Sequence, residues 1–469
     1  MQQEFDSRMR QIKKTQYPRA LTIAGSDSGG GAGIQADLKT FAALGVHGMS
    51  AITAVTAQNT RSVAAVFPLP SSFVAAQIES VYEDIGFDAV KTGMLYDSEI
   101  VQSVAKFLKR SGIENIVVDP VMVAKSRARL LRGEAIDALK EKLLPLAMVV
   151  TPNADEALEL TNLKRIKSIE EARIAARKIS EFGPRIVVVK GGHLDDSESS
   201  VDIVYYSEER AFEYLRSPRI KTANTHGTGC VFSSAIAAEL AKGNSAPSSL
   251  RAAKEFVTSA IRNSLKIGSG HGPVNPTGEV LNSARKFSVL SNLGEALKII
   301  ESNGSAISRL IPELRTNIGM ALEEAKDFDD VAAIPGRITA LSQTSVRAAA
   351  PPEFGASKHI ANSILAAMNF DRQSRAAMNI RYDPEIIENA KRLDLVVSSY
   401  DRRKEPSRIK RKEGSSTFWG ATTAIANSPR FPDLIYHKGD FGKEPMIVLL
   451  GRDAISLAKL AVRLGGQLR

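Results

Sequence analysis

The sequence lacks the features of secreted and membrane-spanning proteins. It has a single cysteine, Cys230, among 469 residues, which excludes an intramolecular disulfide and a cysteine-based zinc site. No apolar stretch approaches the ~20 residues that a membrane-spanning helix requires, and the polar N-terminus has no apolar signal region. We therefore expect a reducing, cytoplasmic setting.

The composition is that of a globular protein. Hydrophobic residues make up 43% and charged residues 24% of the chain, which excludes a disordered chain or a fibre. At roughly 100–200 residues per domain, the length indicates two to four domains. The formal net charge of +10 permits a nucleic-acid partner, but it equally attracts small anionic substrates such as phosphates.

Short apolar runs alternate with helical patterns from residue 21 to residue 268. This alternation predicts an α/β fold, a mostly parallel sheet with helices on both faces. The predicted strands include 21–24, 89–91, 116–119, 148–151 and 186–190, and the predicted helices include 73–85, 98–111, 132–144 and 169–182. We expect an N-terminal extension at 1–18, a first domain at 19–275, a linker at 276–292 and a smaller mixed α/β domain at 293–469.

Two glycine-rich turns bracket the first domain. The first, residues 24–37, follows a predicted strand and opens a helix, a place where backbone amides approach anions closely. It is neither a Walker loop nor a dinucleotide fingerprint. The second ends in Gly227, Thr228, Gly229 and Cys230 before a helix of small residues. Successive N–H groups there suit the charge that develops on a transferring phosphoryl group.

Cys230 stands at the start of this helix, whose field is expected to lower the thiol pKa. An isolated cysteine is usually a small buried apolar residue, but the preceding Gly-Thr-Gly favours a functional one. Asp119, Asn153, Glu156 and Lys190 follow predicted strands, and ligands of open α/β sheets collect at those ends. Asparagine and glutamate can order magnesium waters and ATP phosphates.

Seven segments of the first domain, in order, resemble the hydroxymethylpyrimidine/phosphomethylpyrimidine kinases of thiamine biosynthesis, which have the ribokinase-like fold. They are residues 24–40, 57–60, 91–95, 119–122, 151–153, 190–193 and 224–230. The resemblance runs from about residue 21 to residue 274. It implies ATP-dependent phosphorylation of the pyrimidine alcohol and then of its monophosphate.

The same resemblance implies roles for particular residues. The pyrimidine pocket would be lined by Gly25, Asp37, Gln58, Met94 and Val121, with Gln58 hydrogen-bonded to the aminopyrimidine edge. The anion hole and ATP site would comprise Asp119, Asn153, Glu156, Lys190, Gly227, Thr228 and Gly229, with Glu156 holding Mg²⁺ through water. Cys230 stands where other ribokinase-like enzymes place a catalytic aspartate, and as a thiolate it could accept the substrate hydroxyl proton.

The second domain carries clustered polar and cationic residues. They fall at 334–337, 354–359, 377–382 and 399–403 and in a charged loop at 439–445. No second Walker loop, histidine-pair metal motif or nucleophile elbow accompanies them, so these residues alone indicate an anion-binding domain. The basic residues between 402 and 412 form either a solvated loop or a phosphate-capturing one.

Segments 331–337, 352–359, 377–382, 401–406 and 439–446 resemble the archaeal-type thiamine-phosphate synthase domain. The resemblance covers about residues 293–464 and implies that pyrimidine diphosphate joins thiazole phosphate with release of diphosphate. Arg337 and His359 are the expected catalytic residues, and Arg381, Arg402 and Lys443 the expected supporting anion binders. Arginine offers a bidentate fork for phosphate oxygens.

Two alternatives remain open. The second domain could be a sensor that binds thiamine phosphate without making it, and the kinase could prefer pyridoxal, whereas segments 57–60 and 225–230 argue against a sugar. We expect ATP and Mg²⁺ as cofactors and the pyrimidine compounds and thiazole phosphate as substrates. We expect a homo-oligomer without nucleic-acid or membrane partners, because the basic residues lack the interleaved aromatics that stack on bases.

Overall fold

The computed structural model describes residues 17–123, 130–192, 198–410, 415–440 and 442–468. The chain divides into two compact units, residues 1–281 and 282–469. The predicted N-terminal extension therefore lies almost entirely outside the described residues. Within the described ranges, no helix is long and apolar enough to cross a membrane.

The strands of the first unit form one sheet. Their bounds are β1 (Arg19–Asp27), β2 (His47–Gln58), β3 (Val63–Pro68), β4 (Ala89–Thr92), β5 (Ile116–Val118), β6 (Val149–Val150), β7 (Ile186–Val189), β8 (Ser199–Tyr206) and β9 (Ala211–Pro218). The order across the sheet is β3-β2-β1-β4-β5-β6-β7-β8-β9. Neighbours from β2 to β7 pair in parallel, whereas β3, β8 and β9 pair antiparallel.

The helices of the first unit connect these strands and cover the sheet. Their bounds are α1 (Gly33–Ala43), α2 (Ser71–Asp84), α3 (Ser98–Ser111), α4 (Gly133–Ala138), α5 (Ala154–Thr161), α6 (Ile169–Ser180), α7 (Thr228–Ala241) and α8 (Ala246–Arg262). A π-helical turn (Leu139–Leu143) and a 3-10 turn (Leu144–Leu146) extend α4.

Both faces of this sheet are buried, because successive strand residues point to opposite faces. Val118 and Val150 belong to the core that also contains residues of α2 to α6. Their neighbours Val117 and Val149 belong to the core formed with α1, α7 and α8. Burial on both faces explains why the strands read as unbroken apolar runs. The predicted parallel sheet with helices on both faces is confirmed.

The second unit is a smaller mixed α/β unit, as predicted. Its strands are β10 (Ile318–Ala321), β11 (Val331–Ala333), β12 (Ile338–Ala340), β13 (Val346–Ala348), β14 (Glu353–Phe354), β15 (Ala376–Arg381), β16 (Val397–Ser399), β17 (Leu434–His437) and β18 (Met446–Gly451). Seven of them form a sheet in the order β14-β11-β10-β15-β18-β17-β16, and β12 pairs with β13. All described pairs in the larger sheet are antiparallel except β16 with β17.

The helices from residue 278 onward are α9 (Gly278–Ser302), α10 (Gly304–Ser308), α11 (Lys358–Met368), α12 (Pro384–Arg392), α13 (Ser407–Lys410), α14 (Ser415–Ala426) and α15 (Ala454–Gly466). Residues of α9, α10, α12 and α15 share one core, and residues of α11 and α14 share another. The sheet of the second unit is therefore also buried between two layers.

The segment expected to be an irregular linker, residues 276–292, is largely helical. It lies mostly within α9, and the division between the two units falls inside that helix. Val289, Leu293 and Leu297 recur every four residues and are buried, which is the spacing of one helix face. The Gly- and Pro-rich residues before 278 suggested a loop, but the apolar spacing after them determines the structure.

Candidate active sites

A cavity of about 1090 Å³ lies at the carboxyl ends of the parallel strands of the first unit. We call it the strand-end cavity. Of the residues predicted for the kinase site, the following line it: Gly25, Gln58, Met94, Asp119, Val121, Asn153, Glu156, Lys190, Gly227, Thr228, Gly229 and Cys230. The parallel topology brings together residues that are far apart in the sequence. Their individual roles remain predictions.

Asp37 is the exception: it does not line the cavity, and its burial does not support its predicted place in the pyrimidine pocket. Its side chain has no exposed surface. It accepts hydrogen bonds from Thr22 Oγ1 and Ser234 Oγ, each at 2.7 Å, and from Lys91 Nζ at 2.9 and 3.1 Å. All its hydrogen-bonding capacity is directed at protein groups. Asp37 therefore anchors α1 and α7 beneath the cavity and holds Lys91.

The two glycine-rich turns contact each other at the N-terminus of α7. Gly227 is the N-cap residue of this helix and has a left-handed backbone (φ 81°). A Cβ atom at this position would lie 1.8 Å from the carbonyl oxygen of Gly31, so only glycine fits. The residues at the start of α7, from Gly227 to Cys230, line the cavity, and the anion hole stays a prediction.

A charged cluster occupies the other wall of the cavity. Lys190 Nζ lies 2.9 Å from Asp119 Oδ1 and 3.8 Å from Glu156 Oε2. Burial alone would raise the pKa of Asp119, but Lys190 and Lys91 lower it. Burial raises the pKa of Glu156 to about 7, and the Asp119 charge adds to this while Lys190 opposes it. The cluster therefore holds one carboxyl group that can gain or lose a proton near neutral pH.

Asn153 and Glu156 also form a capping box at the start of α5. Asn153 Oδ1 accepts from the Glu156 N–H at 2.9 Å, and Glu156 Oε2 accepts from the Asn153 N–H at 2.8 Å. The capping role that such residues commonly have is thus present. It does not exclude a ligand role, because both side chains also line the cavity.

The expected lowering of the Cys230 pKa is not observed. Burial raises the thiol pKa to about 12, and the charges of Asp37 and Asp119 add to this effect while Lys91 opposes it. The Gly33 N–H also opposes the rise. Cys230 is therefore a neutral thiol at physiological pH, because desolvation outweighs the local field of the helix.

Three residues that line this site are not predicted from the sequence. His226 Nε2 lies 3.0 Å from Asp27 Oδ2, and both residues line the cavity, as does Lys91. Asp27 also accepts backbone N–H groups of the glycine-rich turn. A signal was available for Lys91, since a lysine inside a buried strand is almost never without a partner.

In the second unit, Arg381 and His437 lie at one end of the larger sheet. His437 is opposite Met446, and Met446 is opposite Arg381, so the ends of β17, β18 and β15 coincide. Arg337 directly precedes β12 and donates a hydrogen bond to the carbonyl oxygen of Leu314. It has a left-handed backbone (φ 72°), a strained conformation for a non-glycine residue that is typical of functional sites.

His359 lies in the electrostatic field of two arginines. Burial, together with the charges of Arg337 and Arg402, lowers its pKa to about 4. Its Nδ1 is 3.0 Å from Thr417 Oγ1, and its buried Nε2 has no hydrogen-bond partner among the described residues. A buried polar nitrogen without a partner is uncommon. This nitrogen is thus free for a ligand.

His437 was not predicted but belongs to the same cluster. Burial lowers its pKa to about 4, with contributions from Arg402 and His359. Its Nδ1 accepts the Gly439 N–H at 3.1 Å, so the neutral ring carries its proton on Nε2. Both histidines are therefore neutral hydrogen-bonding groups, and the arginines supply the positive charge.

The other predicted anion binders are held differently. Arg402 is only 11% exposed and lies 3.8 Å from buried Glu405, so the solvated-loop interpretation does not apply to it. Arg381 pairs with Asp383 at 3.1 Å. Lys443 lies in a turn closed by backbone hydrogen bonds with Asp440. Residues 411–414 of the basic segment lie outside the described residues.

Together, the parallel sheet and the phosphate-suited loops at its carboxyl end define a kinase of the ribokinase-like class. Residues 27–275 match the family described as phosphomethylpyrimidine kinase, and residues 292–463 match the family described as thiamine-phosphate synthase ThiN. The first match covers more than half of the chain, and the chain belongs to the phosphomethylpyrimidine kinase family. It joins this kinase domain to a thiamine-phosphate synthase domain, as expected from the sequence.

Named relatives agree with this assignment. The chain is 48% identical over 257 residues to the hydroxymethylpyrimidine/phosphomethylpyrimidine kinase of Bacillus subtilis, covering 55% of this chain and 94% of that one. It is 49% identical over 265 residues to the thiamine biosynthesis bifunctional protein ThiED of Geobacter sulfurreducens, covering 56% and 53%. The chain thus spans about half the length of that bifunctional relative. An ADP complex of Bacillus subtilis pyridoxal kinase superimposes with a TM-score of 0.53 at 43% identity, covering 56% and 99%.

Proposed function

We propose that the first unit phosphorylates hydroxymethylpyrimidine and then its monophosphate with ATP, and that the second unit couples the diphosphate to thiazole phosphate. The observation that carries the kinase proposal is the composition of the strand-end cavity. Gln58, Met94 and Val121 can hold a flat heterocycle, while the N-terminus of α7 and Lys190 face the same space. One cavity therefore offers a heterocycle pocket beside a phosphate site.

Positioning and charge stabilisation account for most of the catalysis of phosphoryl transfer. The N–H groups from Gly227 to Cys230 at the start of α7 are placed to stabilise charge on the transferring group. Lys190, whose pKa stays raised by Asp119 and Glu156 despite burial, would neutralise phosphate oxygens. Cys230 would hold the reacting hydroxyl as a neutral thiol rather than as a standing thiolate base.

The oxygen donors of the cavity fit magnesium bound mainly through the nucleotide. Mg²⁺ keeps several waters and usually binds one or two carboxylates plus substrate phosphates. Asp119 and Glu156 flank Lys190, and no group of three or more potential ligand side chains occurs in the described residues. When bound, the ion would supply charge neutralisation on the ATP phosphates, with Glu156 as its nearest protein carboxylate through water.

The synthase proposal depends on the cluster of Arg337, His359, Arg402 and His437. Departure of diphosphate builds negative charge, which fixed cations and hydrogen-bond donors stabilise. The arginines provide the charge, and the neutral histidines offer ring nitrogens that do not titrate near neutrality. His359 would hydrogen-bond the leaving diphosphate. Arg381 and Lys443 at the same sheet end would support anion binding.

The coupled reaction tests both proposals with the full chain. Pyrimidine alcohol, ATP, Mg²⁺ and thiazole phosphate should give thiamine phosphate, measured by fluorescence after oxidation to a thiochrome. Supplying pyrimidine diphosphate directly isolates the second reaction. Arg337→Ala should abolish that reaction, and Arg347→Ala, an exposed arginine on β13, is the matched control. Tight thiamine phosphate binding without turnover would contradict the synthase and leave a sensor.

A second candidate substrate for the kinase is a pyridoxal-type alcohol. The chain is 44% identical over 266 residues to the pyridoxine kinase of Bacillus subtilis, covering 97% of that protein. Comparing ATP consumption with hydroxymethylpyrimidine and with pyridoxal as the alcohol decides between them. A larger kcat/KM for pyridoxal would reverse our order of preference.

A further inference from the structure

The amide of Gln58 lies between two side chains that determine which way it faces. One end of the amide, assigned as Nε2, is 3.3 Å from His226 Nε2, and the other, assigned as Oε1, is 3.3 Å from Thr56 Oγ1. The NH₂ and oxygen ends of an amide have almost the same shape, so the hydrogen-bond network decides between the two orientations. The hydrogen-bonding state of His226 and of Thr56 therefore determines which end of the amide faces each of them.

His226 disfavours a donor at its end of the amide. Its Nε2 is 3.0 Å from Asp27 Oδ2. Hydrogen bonds from His226 and from the glycine-rich turn overcome burial and lower the pKa of Asp27, which is therefore an ionised carboxylate. A carboxylate can only accept, so His226 Nε2 carries a proton. An amide NH₂ group beside this N–H would place two donors together.

Thr56 requires a donor at the opposite end. Its hydroxyl is 2.9 Å from the carbonyl oxygen of Ser26 and donates to it. A hydroxyl has one proton, so Thr56 Oγ1 can only accept from Gln58. Thr56 and Gln58 are two residues apart on β2 and share one face of the strand, which keeps this contact in place.

We propose that Thr56 and His226 are positioning residues that fix the Gln58 amide with its oxygen toward His226 and its NH₂ toward Thr56. One N–H and the oxygen of the amide then remain free for the cavity. They match a ring that carries an amino donor next to a ring-nitrogen acceptor, with the amino group on the His226 side. This inference rests on the proposed pyrimidine kinase and makes Thr56 a specificity determinant.

Pyridoxal has no amino group beside its ring nitrogen, so a fixed amide gives it no paired contact. Thr56→Val keeps the shape of the side chain but removes the acceptor, and Thr56→Ser keeps the hydroxyl. A hydrogen bond worth about 1 kcal/mol corresponds to a roughly five-fold effect. We expect Thr56→Val to lower kcat/KM for hydroxymethylpyrimidine about three- to ten-fold relative to pyridoxal, mainly through KM, and Thr56→Ser to retain the wild-type ratio.

The ratio of kcat/KM for the two substrates distinguishes a change in the orientation of the amide from a general loss of activity. The proposal is wrong if Thr56→Val lowers kcat/KM equally for both substrates. It is also wrong if Thr56→Ser shifts the ratio of the two kcat/KM values as much as Thr56→Val does. Wild-type protein labelled with ¹⁵N-glutamine and ¹³C-threonine gives a second test that needs neither substrate nor variant. The side-chain NH₂ of Gln58 should show a nuclear Overhauser effect to Thr56, and one to the His226 ring instead would overturn the orientation. Absence of any turnover of hydroxymethylpyrimidine would contradict the kinase proposal but not this orientation.

Discussion

The buried pair of Asp37 and Lys91 should be a main determinant of the stability of the kinase unit. Both side chains have no exposed surface, and their charged groups are 2.9 Å apart. Burial alone would lower the pKa of Lys91, but Asp37 and the other nearby anions raise it. The lysine is therefore a cation in the core whose principal partner is Asp37.

Asp37→Asn removes the negative charge and leaves this cation uncompensated. Breaking a buried ion pair in this way typically costs about 3–5 kcal/mol of unfolding free energy. Glu79→Gln is the matched control, since Glu79 and Arg110 are 2.6 Å apart but 44% and 45% exposed. Exposed pairs contribute only about 0–1 kcal/mol. The two substitutions differ mainly in burial.

Hydrogen exchange followed by mass spectrometry measures this difference where it arises. Peptides covering β1 and β4 should exchange about 10²- to 4 × 10³-fold faster in Asp37→Asn, because each 1.4 kcal/mol is a factor of ten. Trp419, the only tryptophan, lies in the second unit, and its emission shows whether that unit remains folded. An effect of Asp37→Asn no larger than that of Glu79→Gln would refute the reasoning.

Three further predictions concern catalysis. Cys230→Ala should reduce kinase turnover about five- to tenfold, because one hydrogen bond to the reacting hydroxyl is lost, and the wild-type rate should show no thiol ionisation between pH 6 and 9, because the pKa is about 12; ATP consumption at each pH measures both. Burial and Asp119 raise the Glu156 pKa to about 7, so KM for MgATP should fall as pH rises through 7, and a Glu156→Gln variant should lose this dependence. Arg337→Lys should lower synthase kcat/KM at least about tenfold, because lysine lacks the bidentate fork; a result within twofold of wild type would contradict bidentate phosphate binding.

Local patterns predict the parts of this fold that depend on neighbouring residues. The helix α3 was predicted at 98–111 and occurs there, since its N-cap Asp97 accepts the Ile100 N–H and Gly112 follows in a left-handed conformation. The strand β5 was visible as an apolar run. Because parallel strands end at one edge, residues after such strands could be grouped into one site without knowing the structure.

Asp37 shows what local patterns cannot predict. It lies in a glycine-rich phosphate-type segment, yet its partners Lys91 and Ser234 are 54 and 197 residues away. Whether a carboxylate faces a cavity or a buried lysine depends on these distant contacts. The prediction of a lowered Cys230 pKa fails for the same reason. The field of the helix is a local effect, whereas the burial and the carboxylates that raise the pKa come from the assembled fold.

The two sites reach a phosphate-binding state by different means. In the kinase cavity the lysines are already paired, Lys91 with Asp37 and Lys190 with Asp119, so little net charge remains and the amides of α7 must provide much of the attraction. In the second unit, Arg402 lies 3.8 Å from Glu405, whereas no ion pair of Arg337 occurs among the described residues, and the neighbouring histidines are neutral. This arrangement fits the proposed reactions. ATP would bring its own cation to the first site, whereas a leaving diphosphate would need fixed positive charge, which Arg337 can supply.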